Sequence, residues 1–487
     1  MSIRRNSIYN LAGSIVPLVV SLVTIPIYLN LIGEARYGVL AIAWLLLGYF
    51  GIFDLGLGRA TAQRIAALHD ASAEERAQTF WTALTLNVGL GVFGGLLLWP
   101  AATYFFGHVF QIDEVLRPEM QATAPWLILA VPMATLSGVL AGALQGREKF
   151  LELNVISVTG TVLFQLIPLS VAFYLGVNLG LLLPAALFAR ALTLLGLYIS
   201  CQRHVIQDCS PSFRKEKAGQ LIRFGGWVTI TSFIGPMMVI LDRFIIGALS
   251  GARAVSFYTV PFQLAERSTI LSGSLVSALF PRFAASSPAE ERRLAHMGLR
   301  LIMVVMTPLV VVGVLIMEPF LAWWIDSEFA DQSARVGQIL LLGFWFNGFA
   351  KLATVQLQAR GRPDLVAKCH MAELLPYLGL LYIGINLFGL VGAAVVFSLR
   401  VFLDFVLLAG LAGVLRSAFH SLLIPITLLL LAFLIALRCS PGQMSWLIYT
   451  LVLLLCTLVW VWWQSPSFLQ DGAKKQLKIL FSLLGRR

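Results

Sequence analysis

Apolar runs of roughly twenty residues follow one another along almost the whole chain, and they constrain the fold more than any other feature. A helix needs about 20 predominantly apolar residues to cross a bilayer. The surface helices of a water-soluble domain instead keep a polar face toward water, which interrupts such runs. Only 12% of the residues are charged, and the mean hydropathy is +0.85. The sequence therefore predicts an all-α integral membrane protein.

Fourteen stretches bounded by charged or turn residues qualify as membrane spans. They cover approximately 8–32, 39–58, 80–106, 122–146, 154–176, 179–201, 222–249, 254–281, 297–324, 336–359, 366–388, 390–415, 419–437 and 444–464. The first run follows Arg4 and Arg5 as in a signal peptide. Because this run is too long and has no A-x-A cleavage pattern, we expect a retained first span.

The positive charges alternate between the predicted loops. With a cytoplasmic N-terminus, 25 of the 35 Lys and Arg residues lie in cytoplasmic loops or at the cytoplasmic ends of spans, 5 lie on the opposite side and 5 lie deeper within spans. Short loops rich in Lys and Arg stay in the cytoplasm. A missed or additional helix would invert this bias downstream of it. The distribution thus supports fourteen spans and predicts that both termini are cytoplasmic.

Two local similarities indicate an internal repeat. LQGR at 144–147 recurs as LQAR at 357–360, and LIGEAR at 31–36 resembles LSGAR at 249–253. Both offsets join span n to span n+6, which predicts two related six-helix bundles around a central cavity plus two extra C-terminal helices. The predicted divisions are an N-terminal bundle, a basic cytoplasmic linker, a C-terminal bundle, helices 13 and 14, and a basic amphipathic cytoplasmic tail, at 1–203, 204–221, 222–416, 417–465 and 466–487.

Several functions are excluded by the residues present. The net charge of +11 comes from Lys and Arg scattered between apolar runs, whereas a nucleic-acid-binding protein gathers them on one face. The five cysteines have no metal-ligand spacing, and their odd number argues against a disulfide framework. No phosphate-binding loop, zinc-binding helix motif or catalytic triad stands out. We expect a non-enzyme without cofactor or metal, driven by a proton or sodium gradient or by downstream consumption of its product.

Ten charged residues within the spans are the candidate functional residues. A charge at the bilayer centre costs about 3 kcal/mol on insertion scales, so each must face protein or water. Arginine offers an anionic ligand both positive charge and several donors. The candidates for substrate binding are Arg190, Arg243, Arg267, Lys351 and Arg400, and those for ion coupling or gating are Asp54, Asp242, Glu266, Glu373 and Asp404. The alternative for each is a structural ion pair, since five cations meet five acids.

Asp54 and Arg400 support more specific expectations. Asp54 shares a narrow helix face with Gly58, where small residues let helices approach closely, and it is too far around the helix to pair with Arg59. Its partner should lie on another span or among backbone amides, and it is either a structural or gate-forming acid or a coupling-ion site. Arg400 and Asp404 are four residues apart, which predicts an ion pair that an anionic ligand would break, leaving Asp404 to take up a proton.

Three short motifs resemble those of a known family. They are FDLGL at 53–57, LDRFIIG at 241–247 followed by Tyr258, and LFPRF at 279–283. The chain resembles, in order over spans 1 to 12, the polysaccharide transporter family. This family comprises the O-antigen and exopolysaccharide repeat-unit flippases of the multidrug/oligosaccharidyl-lipid/polysaccharide exporter superfamily.

The resemblance implies a multi-pass protein of the bacterial inner (cytoplasmic) membrane. Its two bundles would move a polyprenyl-diphosphate-linked oligosaccharide outward by alternating access, for cell-surface polysaccharide assembly. The implied partners are membrane lipid, the lipid-linked oligosaccharide, and the polysaccharide polymerase with its chain-length machinery.

Two other transporter classes and one enzyme class are the alternatives. Multidrug or organic-cation exporters of the same superfamily typically keep an acid in the first span, and the first span here has no charged residue. Lipid II flippases, which the chain resembles less, carry arginines in their first two spans. A membrane glycosyltransferase or polymerase needs a large outer loop, whereas the longest predicted outer loops, at 107–121 and 325–335, are short.

Overall fold

The computed structural model describes residues 3–49, 54, 56–68, 71–112, 114, 116–207 and 209–465, and within them the regular structure is entirely helical. The helices are α1 (Ile3–Tyr49), α2 (Leu57–Ala67), α3 (Ala73–Tyr104), α4 (Arg117–Gly146), α5 (Phe150–Tyr174), α6 (Leu179–Cys201), α7 (Lys215–Arg267), α8 (Thr269–Ala285), α9 (Pro288–Trp324), α10 (Ser327–Ala359), α11 (Pro363–Ala412), α12 (Leu415–Arg438) and α13 (Met444–Gln464). Short π-helical turns follow α3 and α6, at Phe105–Val109 and Gln202–Ile206. The predicted amphipathic tail at 466–487 lies outside the described residues.

Eleven helical segments of the described chain are long and apolar enough to cross a membrane. The helices α1, α7 and α11 each contain a glycine with non-helical backbone, at Gly33, Gly251 and Gly389. The 50 residues of α11 would measure about 75 Å as one straight helix, more than twice the hydrocarbon thickness. Counting these three helices as two spans each gives the fourteen predicted crossings, and the predicted all-α membrane fold is confirmed.

The glycine breaks turn α1 and α11 back on themselves. In α1 the ring centroids of Tyr28 and Trp44 lie 5.3 Å apart, although a straight helix would place these residues about 24 Å apart. In α11 a Cβ added to Gly392 would lie 1.9 Å from the carbonyl oxygen of Gly384. Only glycine permits that approach, so the two arms of α11 pack closely as consecutive antiparallel spans.

Two spans predicted as continuous helices are interrupted. The span at 39–58 comprises the end of α1 and the start of α2, and Gly56 immediately before α2 is left-handed, with φ 70°. The span at 254–281 passes from α7 to α8 through Ser268, whose N–H donates to the Ala265 carbonyl at 3.1 Å. This bond reaches only three residues back, so the helix tightens locally.

Local geometry recurs at the offsets found in the sequence. After α4 the N–H of Glu148 donates to the Gln145 carbonyl at 2.9 Å, and after α10 the N–H of Gly361 donates to the Gln358 carbonyl at 3.0 Å. Glu148 and Gly361 are both left-handed, with φ 57° and 73°. The two turns therefore have the same conformation, and this supports the internal repeat.

Equivalent serine caps open two further helices. Ser72 precedes α3 and its hydroxyl accepts from the Glu75 N–H at 3.2 Å, while Ser287 precedes α9 and accepts from the Glu290 N–H at 3.4 Å. Both sequences have a serine followed three residues later by glutamate, a common signal for a helix start. The shared cap extends the repeat to the pair α3 and α9.

The chain divides into two compact units, Met1–Ser256 and Phe257–Arg487. One apolar core of the first unit forms where α2, α3, α4 and α6 meet, around the buried side chains of Phe80, Leu144 and Leu197. The predicted boundaries of the two six-helix bundles and of the linker at 204–221 remain predictions.

Candidate functional site

Asp54 lies in the break between α1 and α2, where it caps the helix that follows. Its carboxylate accepts hydrogen bonds from the backbone N–H groups of Gly56 at 2.6 Å and Gly58 at 3.2 Å. The same carboxylate packs on α4, because a Cβ added to Gly138 would lie 2.5 Å from Asp54 Oδ2. A carboxylate at a helix N-terminus satisfies free backbone amides and interacts favourably with the helix dipole. This geometry favours the structural alternative for Asp54.

The predicted candidates Asp242 and Arg243 pair with each other on α7. Arg243 Nη1 lies 2.8 Å and 3.0 Å from the two carboxylate oxygens of Asp242, and both side chains are buried. A close pair of this kind keeps two charges compensated inside the protein. The positive charge of Arg243 is thus largely balanced before any substrate arrives.

Four charged residues meet between the two arms of α11. Asp404 Oδ1 lies 3.4 Å from His370 Nε2, and the charges of Asp404, Arg400 and His370 all act on Glu373. The Arg400 guanidinium lies 5.4 Å from the ring centroid of Tyr377. Glu373, Arg400 and Asp404, three of the ten predicted candidates, are therefore brought together.

The predicted ion pair between Arg400 and Asp404 is not formed among the described residues. The two residues are one turn apart on α11 as expected, but the acid pairs across the hairpin with His370 while the guanidinium lies over aromatic rings. The turn at Gly389 brings the other arm within reach, so an inter-arm contact replaces the one along the helix. His370 is the residue that reasoning from sequence missed, although its position three residues before Glu373 places both on one helix face.

A cavity of about 250 Å³ lies between the arms of α11. Its lining includes Ala372, Glu373, Tyr377, Val396 and Arg400. Both carboxylate oxygens of Glu373 are buried, and neither has a hydrogen-bond partner among the described residues. A buried carboxylate that lacks donors is costly as an anion, so Glu373 depends on the neighbouring charges of Arg400 and His370 for compensation.

Lys351 and Glu266 form a looser pair. The charge of Glu266 acts on Lys351, but no ion pair within 4.0 Å joins them in the described part of the chain. Lys351 on α10 is half-buried and Glu266 on α7 is exposed. The two residues compensate each other only at a distance.

Arg190 and Arg267 are the predicted cations that lack a counter-charge. Neither side chain forms an ion pair or a hydrogen bond with any residue that the structure describes. The Nε atom of Arg190 is buried within α6, and Arg267 lies at the exposed end of α7. An arginine at membrane depth that has no acid partner needs water or an anion.

A contact near the turns of α1 and α7 is a second feature that the sequence did not reveal. The N–H of Gln111 donates to the Gly247 carbonyl, and the N–H of Ala252 donates to the Gln111 carbonyl, both at 3.1 Å. Glu34 and Arg253 form an ion pair in the same region. We call these five residues the turn clasp. It joins α1, the segment before α4 and α7 by backbone as well as charged contacts.

The described part of the chain holds no group of three or more His, Cys, Asp or Glu side chains placed to hold a metal ion.

The chain is similar to a known protein family and to a curated protein. The model of a family described as "Polysaccharide biosynthesis protein" matches residues 3–287. The chain is 31% identical over 424 residues to a curated Shigella flexneri protein named "Putative O-antigen transporter", which covers 86% of this chain and 100% of the relative.

Solved structures with the same fold are membrane transporters. The inward closed conformation of the lipid II flippase MurJ aligns with a TM-score of 0.69 at 14% identity, over 96% of this chain and 99% of that one. An inward-facing transporter of the multidrug resistance MATE family aligns with a TM-score of 0.66 at 18% identity, over 86% and 96%. At these identities the likeness establishes the fold alone.

Proposed function

The chain belongs to the polysaccharide biosynthesis protein family, and from this we propose that it is a flippase for a polyprenyl-diphosphate-linked oligosaccharide. It moves the lipid-linked repeat unit outward across the bacterial inner membrane by alternating access, for assembly of a cell-surface polysaccharide. Both termini face the cytoplasm in this proposal. The polysaccharide polymerase and the chain-length machinery receive the product on the outer side.

The observation that carries the proposal is the pair of intramembrane arginines, Arg190 and Arg267, that lack an acid partner among the described residues. A diphosphate crossing the bilayer carries negative charge through a region where an isolated ion costs several kcal/mol. An arginine offers a planar set of donors that can bind phosphate oxygens in pairs. These positions suit an anionic cargo and would repel an organic cation, which disfavours the multidrug-exporter alternative.

Coupling to an ion gradient is assigned to the cluster in α11. Glu373 and Asp404 face one guanidinium, that of Arg400, and one imidazole, that of His370, so uptake of one proton or one sodium ion changes the net charge of the cluster by one unit. Desolvation favours the neutral cluster. Arrival of a diphosphate near Arg400 would strengthen this tendency, because it withdraws a positive charge from the two acids.

In this proposal the turn clasp opens in each transport cycle. Its two backbone hydrogen bonds and one ion pair are few enough to break and re-form, since each such bond contributes only about 1 kcal/mol net. A disulfide between cysteines placed at Glu34 and Arg253 should therefore stop transport, and a reductant should restore it.

The test of substrate binding uses Arg190→Ala and Arg267→Ala, with Arg214→Ala as a matched control. Arg214 is an exposed arginine in the segment before α7. Flipping of lipid-linked oligosaccharide is measured in proteoliposomes, together with membrane abundance. Arg190→Ala and Arg267→Ala should each lower the transport rate about tenfold or more, the equivalent of about 1.4 kcal/mol, at unchanged abundance.

Abundance separates the two roles of these arginines. If an arginine is structural, its removal loses the packing of its side chain, which lowers the amount of folded protein. If Arg190→Ala and Arg267→Ala both transport like the wild type, neither contacts the diphosphate, and the proposed cargo loses its main support.

A further inference from the structure

An apolar groove runs between the α7–α8 junction and α9. It has a volume of about 330 Å³, and its walls include Leu264 and Leu271 on one side and Leu309 and Ile316 on the other. Among its described lining residues, Arg267 is the only charged one. Leu271, Leu309 and Ile316 are 44%, 39% and 44% exposed, so the groove opens at the surface of membrane-spanning helices. We call it the arginine groove.

Gly313 lines the groove in the middle of α9, where the side chain of Leu341 packs against it. A Cβ added there would lie 2.9 Å from Leu341 Cδ1, which is closer than ordinary contact. Glycine within a helix is unfavourable relative to alanine. A larger side chain at this position would push against Leu341, which also lines the groove, and so reduce the space in it.

The depth of Arg267 identifies the anion that it can meet. It lies about 24 Å along the helix from the turn at Gly251 and about 27 Å from the end of α8 at Ala285, so it is near mid-membrane. The phosphates of resident lipids stay about 15 Å away, at the edges of a hydrocarbon core about 30 Å thick. Only a lipid that is being moved across the bilayer brings its phosphates to this depth.

The local backbone supports the same assignment. The junction at Ser268 interrupts the helix next to Arg267. In secondary transporters, helices interrupted near the midplane form substrate and ion sites. An apolar groove and a mid-membrane cation at a helix interruption together match a ligand with a long hydrocarbon chain and an anionic head.

We infer that the arginine groove holds the first isoprenoid units of the cargo's polyprenyl chain while Arg267 contacts its diphosphate. The inference rests on the proposed flippase function and adds where the chain travels. The chain remains outside the helices, in contact with the hydrocarbon of the bilayer, so that only the diphosphate and sugars need a polar path. The protein would then need no internal cavity as long as the polyprenyl chain.

The test measures binding of three probes to the purified protein in lipid nanodiscs. The probes are undecaprenyl diphosphate, undecaprenol, which has the chain without the charge, and inorganic diphosphate, which has the charge without the chain. Gly313→Leu fills the groove. Gly379→Leu is the matched control, because Gly379 is an exposed glycine of α11 with no atom within 4 Å of an added Cβ.

Gly313→Leu should weaken binding of both chain-bearing probes about tenfold or more and leave inorganic diphosphate unchanged. Arg267→Gln should weaken both diphosphate probes and leave undecaprenol unchanged. Ile316→Trp, which narrows the groove from its exposed side, should reproduce the effect of Gly313→Leu if the latter variant fails to fold.

Two results would overturn the assignment. If folded groove-filling variants bind undecaprenyl diphosphate as tightly as the wild type does, the chain does not lie in the groove, while the proposed function stands. If the wild type binds none of the diphosphate probes, the proposed function fails and the groove assignment fails with it.

Discussion

Replacing Asp54 by Asn should weaken the fold slightly and leave transport per folded molecule intact. The carboxylate accepts from the N–H groups of Gly56 at 2.6 Å and Gly58 at 3.2 Å. Asn has one side-chain oxygen, so it keeps the shorter bond and loses the longer one, a loss of about 1 kcal/mol. The missing negative charge at the start of α2 costs about 0.3–1 kcal/mol more. The expected total is about 1–2 kcal/mol.

Two further variants calibrate that estimate. Asp54→Ala leaves both buried amides without an acceptor, and each costs about 1–3 kcal/mol. Gly138→Ala keeps the carboxylate but presses on it, because the new Cβ would start 2.5 Å from Asp54 Oδ2. Overpacking of this kind costs about 1–3 kcal/mol. The wild type should therefore be the most stable, followed by Asp54→Asn, and Asp54→Ala should be the least stable. Gly138→Ala should be as stable as Asp54→Asn or less stable.

The assay combines thermal unfolding of the purified protein in detergent, membrane abundance, and flipping of lipid-linked oligosaccharide in proteoliposomes. Transport normalised to folded protein should stay within about twofold of wild type for the Asn variant, since no transition-state contact is removed. The structural interpretation would be refuted by an Asn variant that unfolds like the wild type yet transports at least about tenfold more slowly. That outcome would assign Asp54 to ion coupling.

Three other predictions concern stability and topology. Glu148→Gly should raise the melting temperature. Glu148 has a left-handed backbone, with φ 57°, which is sterically costly for a residue with a side chain, whereas its counterpart Gly361 adopts a similar backbone without that cost. Relief of the strain is worth about 1 kcal/mol. Burial raises the pKa of Glu119, but hydrogen bonds from Arg36 and a backbone N–H and the charge of Arg36 outweigh it and hold that pKa below its ordinary value. Stability from this carboxylate is thus present above about pH 4.3 and lost as the pH falls through the lowered pKa, so Glu119→Gln should flatten the acid limb of a melting profile. A cysteine at Arg214 should be labelled only after the cells are permeabilised, and strong labelling of intact cells would contradict the proposed topology.

Much of the fold follows from the sequence, because a bilayer leaves a helix few alternatives. Each crossing must satisfy its backbone internally and present about 20 apolar residues to lipid, so the spans are readable one by one. The serine caps before α3 and α9 and the recurring turns after α4 and α10 follow from short-range hydrogen bonds, which depend only on neighbours in the chain. Sequence alone therefore determined the all-helical membrane architecture and the offsets of the repeat.

The partner of each intramembrane charge was decided by the tertiary structure. Asp404 had Arg400 one turn away, yet the hairpin at Gly389 placed His370 3.4 Å from it. Asp54 found its partners in backbone amides freed by a helix break that the apolar pattern concealed. Hydrophobic periodicity reports only whether a residue faces lipid. The energy of a buried charge depends on distances to groups that the chain brings together from elsewhere, and those distances exist only once the helices have packed.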